Sequence, residues 1–290
     1  MIRPLKYKKI YIDSKYRTYD SNSTSDFKIQ LRENFEIPDN TVMYIHEIAI
    51  PNVMHTIEED VNNFVYFVLT DTNNVKINQY IIKFNGSYIL TPQGLLDLVV
   101  GEMNRLTALT DTDIFVGTYY PTRNIFGITS LNATSGTNYK FKILTDEELN
   151  TGFNGYWDDS LNNNDKVFRK NMSPILGNFN GSLSAEYASR LLYLQPYPNV
   201  YINCPELSNY NFHSPSGWSN AIIKKVPVNV PFGSSIFEGS SVAEKDTIDV
   251  SKRSIQRLSF RITDETGNVI NFHNTNISFS LLFYNSTSEL

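Results

Sequence analysis

The sequence predicts an all-β, mainly antiparallel chain: a jelly-roll β-sandwich with one principal α-helix near 91–106 and an insertion. Three observations carry that prediction. About ten short segments either alternate polar and apolar residues or run apolar between turn formers, which is how strands read. Only one stretch repeats at helical spacing, and helices and strands do not alternate as they would around a parallel sheet. Aromatic residues reach 13%, with 18 Phe and 18 Tyr, and such rings suit a pleated surface better than a helix. With 290 residues, 41% of them hydrophobic, the chain is long enough to bury a full core.

Taken in order, residues 9–13 form a short β-prone run, and 26–31 alternate polar and apolar with period two. Polar turn formers over 19–25 separate them. In the next run Val42, Tyr44, His46, Ile48 and Ile50 share one strand face, and Met43, Ile45 and Ala49 the other. That strand is predicted to be covered on both sides. Residues 64–70 and 75–84 read as two strands around a hairpin-like turn at Asp71, Thr72, Asn73 and Asn74. Thr91 is a fitting N-cap and Pro92 suits the first helical position. Leu95, Leu96, Val99, Met103 and Leu106 then repeat as a core-packing stripe. Strands follow at 114–120, 124–129 and 139–144, then a capped helical turn over 145–149. Residues 150–190 lack periodicity and read as a long surface loop or an insertion. Strands resume at 191–194, 200–204 and 221–230. The chain closes on a predicted hairpin: Leu258, Phe260 and Ile262 alternate, Asp264 to Asn268 turn, and Ile277, Phe279, Leu281 and Phe283 alternate again. No internal repeat of fixed period occurs.

Composition removes several classes. A single Cys204 excludes an intrachain disulfide framework and a multi-cysteine zinc site, and fits a reducing compartment. No segment approaches the roughly 20 continuous apolar residues of a membrane helix. The start, Met1-Ile2-Arg3-Pro4-Leu5-Lys6, lacks the apolar run of a signal peptide. Seven Asn-x-Ser/Thr sequons, at Asn22, Asn85, Asn132, Asn171, Asn180, Asn276 and Asn285, then read as a by-product of an Asn-rich chain. The formal net charge is −5, which argues against a surface that clamps nucleic acid throughout. Residues 1–17 oppose that trend, with Arg3, Lys6, Lys8, Lys9, Lys15 and Arg17 set against Asp13 alone. A basic segment over 1–20 on an acidic body suggests an arm that meets an anionic surface or a neighbouring subunit.

A search for chemistry assigns no catalytic residue, cofactor, metal site or small-molecule substrate. Among His46, His55, His213 and His273 no pair has the i, i+4 spacing of a helical zinc site. His46, on an apolar strand face, is predicted to be a hydrogen-bonded core histidine. Gly233-Ser234-Ser235-Ile236-Phe237 is not a nucleophile elbow, and Gly94 and Gly101 lie inside the helix, not ahead of it. Carboxylates cluster at Glu58-Glu59-Asp60, Asp111 with Asp113, Asp146-Glu147-Glu148 and Asp158-Asp159. A facing pair could serve a glycosidase, although acidic surface turns are the plainer reading. Asp158, Ser160 and Asn162 resemble the start of a calcium loop, but Asn163 and Asn164 replace its glycine turn and no glutamate closes it.

The order of these signals resembles the penton (minor capsid) proteins of virophages, Polinton-type elements and related large DNA viruses. The opening Ile12-Asp13-Ser14-Lys15-Tyr16-Arg17, followed by Ser21 to Phe27, is similar to that family's DSxxR arm, serine-rich turn and Asp-Phe strand. Ile50-Pro51-Asn52, Gly86-Ser87-Tyr88, Val226-Pro227, Pro231-Phe232-Gly233 and the closing Leu258 to Asp264 with Gly267 follow in the family's order. Ser173 to Phe179 resembles its Leu-Gly-Phe segment with Asn178 interposed.

The resemblance implies a non-enzymatic structural virion protein that forms homopentamers at the fivefold vertices of an icosahedral capsid. It would be assembled in the host cytoplasm or nucleus among major capsid protein subunits. The body is then expected over 21–290, with a loop or small β insertion around 145–215. The arm over 1–20 is expected against genome, inner membrane or major capsid subunits. Two other readings stay open: a cement or minor capsid protein away from the vertex, and a carbohydrate-binding β-sandwich using Trp157 or Trp218. Burial statistics favour both tryptophans as core or interface anchors instead.

Overall fold

The structure, a computed structural model, describes residues 7–59, 61–107, 114–131, 139–158, 171–177, 182–208, 221–239 and 247–285. The chain divides into two compact units, one built from Met1–Met54 with Tyr197–Leu290, the other from His55–Pro196.

The first unit is a β-sandwich of two antiparallel sheets, the expected jelly-roll class. One sheet runs β1 (Tyr7–Asp13), β15 (Ser278–Asn285), β3 (Thr41–Pro51), β12 (Ser235–Gly239), with β13 (Ile248–Asp249) also on β3. The other runs β11 (Ile222–Pro227), β10 (Asn199–Asn203), β14 (Ser254–Thr263), β2 (Asp26–Glu36). Alternation explains the layering, because Phe27 and Ile29, Leu258, Phe260 and Ile262, and Phe279, Leu281 and Phe283 are all buried. Phe260 meets Phe27 at 5.4 Å and crosses to Phe279 edge-on at 5.0 Å, while Phe35 meets Phe283 edge-on at 5.1 Å.

Those ring contacts correct the predicted closing hairpin. Strands β14 and β15 do not pair; they lie in different sheets and face each other across the core. Each has a single apolar face, and the two faces bury each other across the sandwich. The predicted turn does form, with Asp264 Oδ1 accepting the N–H groups of Thr266 and Asn268. It returns the chain only as far as the Ile270 N–H, which donates to the Ile262 carbonyl.

Strand β3 also departs from expectation. The register slips where Ser280 faces Glu47 but Leu281 faces Ile45, a bulge that leaves His46 as the extra residue. The buried set therefore changes phase, from Met43 and Ile45 to Ile48 and Ile50. The opposite face, carrying Tyr44 and Ala49, is half-buried, so the strand is not covered on both sides within this unit.

The second unit holds two three-stranded antiparallel sheets, β5 (Lys76–Lys83), β4 (Phe64–Thr70), β8 (Lys140–Ile143) and β6 (Phe115–Tyr120), β7 (Ile125–Ser130), β9 (Glu186–Ala188). Its main helix, α1 (Pro92–Thr107), starts where Thr91 Oγ1 accepts the Gly94 N–H, and buries Leu95, Leu96, Val99 and Met103. Asn104 ties the helix to β6, accepting the N–H groups of Ile114 and Phe115 and donating to the Phe115 carbonyl. Phe115 stands edge-on to Phe67 and Phe141, at 6.0 and 5.1 Å, and so joins the two sheets. Helix α2 (Asp146–Thr151) has a full capping box between Thr145 and Glu148 and ends at Gly152, whose φ of 73° is left-handed.

Residues 191–194 are not a strand. Their backbone bonds run to separate turns, Leu192 N–H to the Asn124 carbonyl and Tyr193 N–H to that of Ile175, so no ladder forms. Strands β9, β12 and β13 are short and were not anticipated. Of the segment 145–215, residues 145–196 fall in the second unit, while β10 belongs to the first.

Candidate assembly surface

Of the six basic residues singled out in the sequence, the four that are described, Lys8, Lys9, Lys15 and Arg17, do not form one cluster. Arg3 and Lys6 lie outside the described residues. Residues 7–13 pair with β15 from Tyr7 opposite Tyr284 to Asp13 opposite Ser278, so this part of the basic segment is a sheet strand. Strand alternation then sends neighbouring lysines to opposite faces. Lys8 Nζ sits 3.7 Å from the centre of the Phe35 ring, on the core side. Lys9 Nζ pairs with Glu47 Oε2 at 2.9 Å on the outer side, and that hydrogen bond raises the lysine pKa and lowers the glutamate pKa. Lys15 belongs to a 3-10 turn (Ser14–Tyr16) capped by Asp13, which accepts its N–H at 2.8 Å. Arg17 donates to the Ser14 carbonyl at 3.2 Å.

The outer face of the first sheet instead carries an open groove of about 660 Å³. One row across all four strands runs Asp13, Ser278, Ala49, Phe237. The next runs Tyr11, Ser280, Glu47, Gly239. Small side chains thus form the floor. Rings form the walls, with Tyr11 (74% exposed) and Tyr16 on one side and Phe237 (77%) on the other. Beside Phe237, Glu238 turns toward the sandwich edge and pairs with Lys224 of β11 at 3.1 Å.

A second exposed ring stands on the other sheet. Tyr19 is fully exposed, at 102%. Its loop is braced: Asp20 accepts from Thr18 Oγ1 at 2.6 Å, from Lys28 Nζ at 3.2 Å and from Arg257. Those bonds hold the Asp20 carboxyl well below the usual carboxylate range, Thr18 contributing most. Ser21 Oγ accepts the Lys28 N–H, and Ser23 Oγ accepts those of Ser25 and Asp26. Lys28 and Arg257 alternate with the buried Phe27, Ile29 and Leu258, so they face outward from the second sheet. The Tyr19 loop is therefore pinned on the outer side of that sheet, and the groove opens on the outer side of the first.

Several of the residues weighed for chemistry have packing or capping roles. Glu58 is buried, accepting from Ser87 Oγ at 3.5 Å, with its other oxygen 3.2 Å from His55 Nδ1. Glu148 closes the capping box of α2 and pairs at 2.9 Å with Lys142, a lysine with 0% side-chain exposure. Burial pushes the Lys142 pKa down, against the opposing effect of Glu148. Trp157 is buried edge-on to Tyr66 at 5.6 Å and presents no face for a sugar. The thiol of Cys204 is buried, and desolvation pushes its pKa up. His46 is half-buried, 3.6 Å from Glu47, and its Nδ1 has no hydrogen-bond partner among the described residues. The bulge turns it away from the core position predicted for it. Asp60, Asp111, Asp113, Asp159, Ser160, Asn162, His213 and Trp218 lie outside the described residues.

This architecture is of the jelly-roll class, carrying a second β unit between two strands of the first. No protein-family model matches the chain, and no curated protein does. Among solved structures it is similar to the mavirus penton protein, with a TM-score of 0.56 and 12% identity over 97% of this chain and 99% of that one. It is also similar to a chain of the Sputnik virophage structure solved by cryo-EM, with a TM-score of 0.51 and 15% identity over 98% and 99%. The likeness shows that this chain shares the fold of those two chains along nearly its whole length. Among the described residues no helix is long and apolar enough to cross a membrane.

Proposed function

We propose that this chain is a penton protein, a structural virion component that forms homopentamers at the fivefold vertices of an icosahedral capsid. One observation carries the reading: the mavirus penton protein is similar in fold over 97% of this chain and 99% of its own length. The functional groups whose surroundings are described fit a structural role, since Glu58, Glu148 and Trp157 are all engaged in packing or capping. Major capsid subunits are the proposed neighbours, with genome or inner membrane beneath the arm, and the virion is the proposed location. Arg3, Lys6, Lys8, Lys9, Lys15 and Arg17 are proposed to support incorporation. Deleting residues 1–6 should then lower capsid incorporation while the purified body keeps its thermal unfolding midpoint.

The mass of the purified chain, followed from micromolar to millimolar concentration, tests the assignment together with particle imaging. Five-copy rings and density at the fivefold axes are the expected results. Dimers or trimers, or density only between the vertices, would overturn the vertex reading, and the last of these would favour a cement protein.

A further inference from the structure

The pentamer reading leaves the ring contact unassigned, and the inference here rests on that reading. A closed ring reuses one heterologous contact, so every copy must present two different surfaces that fit each other. The first unit carries two such surfaces on the outer sides of its two sheets, one concave and one protruding.

We propose that the ring contact seats the Tyr19 loop of one copy in the groove between Tyr11 and Phe237 of the next. Shape favours it: Ala49, Ser278 and Ser280 leave the groove floor low between the aromatic walls, while Tyr19 projects fully into water. Rigidity favours it as well. The bonds of Asp20 to Thr18, Lys28 and Arg257 hold the loop before contact, so docking orders little new chain. Charge is complementary. Lys28 and Arg257 pair with Asp20 on the loop side, where Arg261 also lies 4.0 Å from Asp26, whereas Asp13, Glu47 and Glu238 line the groove, Glu47 paired with Lys9 and Glu238 with Lys224. Aromatic anchors also concentrate binding energy at contacts of this kind. Because groove and loop are two different surfaces of one unit, copies join head to tail.

Tyr19→Ala and Ala49→Trp test the two sides, since both positions face away from the core and should leave thermal unfolding unchanged. Each should raise the concentration for half-assembly by roughly tenfold or more. The double variant should lose much less than the product of the two losses, because both act on one contact. A Tyr19→Cys, Phe237→Cys double variant should give, on oxidation, a cross-linked ladder ending at five copies. The single cysteine variants should give none, Cys204 being buried. Wild-type-like ring formation by Tyr19→Ala and Ala49→Trp, or five-copy rings that fail to cross-link, overturns the contact and leaves the pentamer reading standing. Oligosaccharide binding that Phe237→Ser abolishes while rings persist would also overturn it, reassigning the groove to a glycan. A wild-type chain that forms no five-copy species removes the pentamer reading itself, and the contact with it.

Discussion

The two units differ in where their strands find partners. In the second, β4 pairs with β5 across the Asp71–Asn74 turn and β6 with β7 across four residues. In the first, β1 pairs with β15 from the other end of the chain, β3 lies between β15 and β12, and β2 joins β14. Local pairs close short loops, whereas distant pairs must meet a larger closure entropy before any contact rewards it. The second unit can therefore form early from its own continuous segment. The first depends on strands drawn from both sides of that segment.

Core substitutions give the sharpest way to break this comparison. Phe260→Ala should destabilise the first unit by about 3–5 kcal/mol, by the usual size of a large-to-small core change. Hydrogen exchange in β4, β5 and β8 should be unaffected; loss of protection there would show that the units unfold as one. Next in size is Glu148→Ala in the second unit. It removes the carboxylate paired with the buried Lys142 ammonium and one of the two hydrogen bonds of the capping box, at a combined cost of roughly 3–5 kcal/mol. Lys142→Met should change stability by less than about 1 kcal/mol, because the partly exposed Glu148 can hydrate. The lowered pKa of Lys142 means that the folded state binds fewer protons than the unfolded one just below the ordinary lysine value. Stability should thus rise with pH through that alkaline window, and Lys142→Met should flatten the rise in urea titrations.

Gly177→Ala is expected to cost about 1–3 kcal/mol. Its φ is +84°, and a Cβ there would lie 2.5 Å from the Arg190 backbone oxygen. Heat denaturation of that variant should shift only the transition of the second unit. The smallest effect concerns the Tyr19 loop. The depressed pKa of Asp20 makes its contribution complete above the ordinary carboxylate range. That contribution is lost only as pH falls toward the depressed value. Loop protection should therefore be flat between pH 5 and pH 8 on the order of those reference pKa values, and Asp20→Asn should weaken it throughout.

How much was legible follows the same division. Thr91 and Pro92 announced α1, Thr145 and Glu148 announced α2, and Asp71 to Asn74 announced the β4–β5 turn, because each signal lies within a few residues of its effect. The groove was only half visible. Alternation over 9–13 puts Tyr11 opposite the core-facing Ile10 and Ile12, but the turn formers around β12 mask its strand character, and with it the outward position of Phe237. Tyr19 lay in a plainly polar loop. Its exposure follows from Asp20 being held by Lys28 and Arg257, and Arg257 is more than two hundred residues away.

By itself the sequence determined most of the longer strands, the main helix, and which side of most strands is apolar. Those properties arise from neighbouring residues and from the two periods of the backbone. Only the tertiary structure decided that β14 and β15 oppose each other without pairing, that a bulge reverses β3 at His46, and that Tyr11 and Phe237 wall one groove. The reason is that a strand's apolar face fixes what it must hide, but hydrogen-bond edges are alike along every strand. Which edge meets which is settled by the packing of all the strands together.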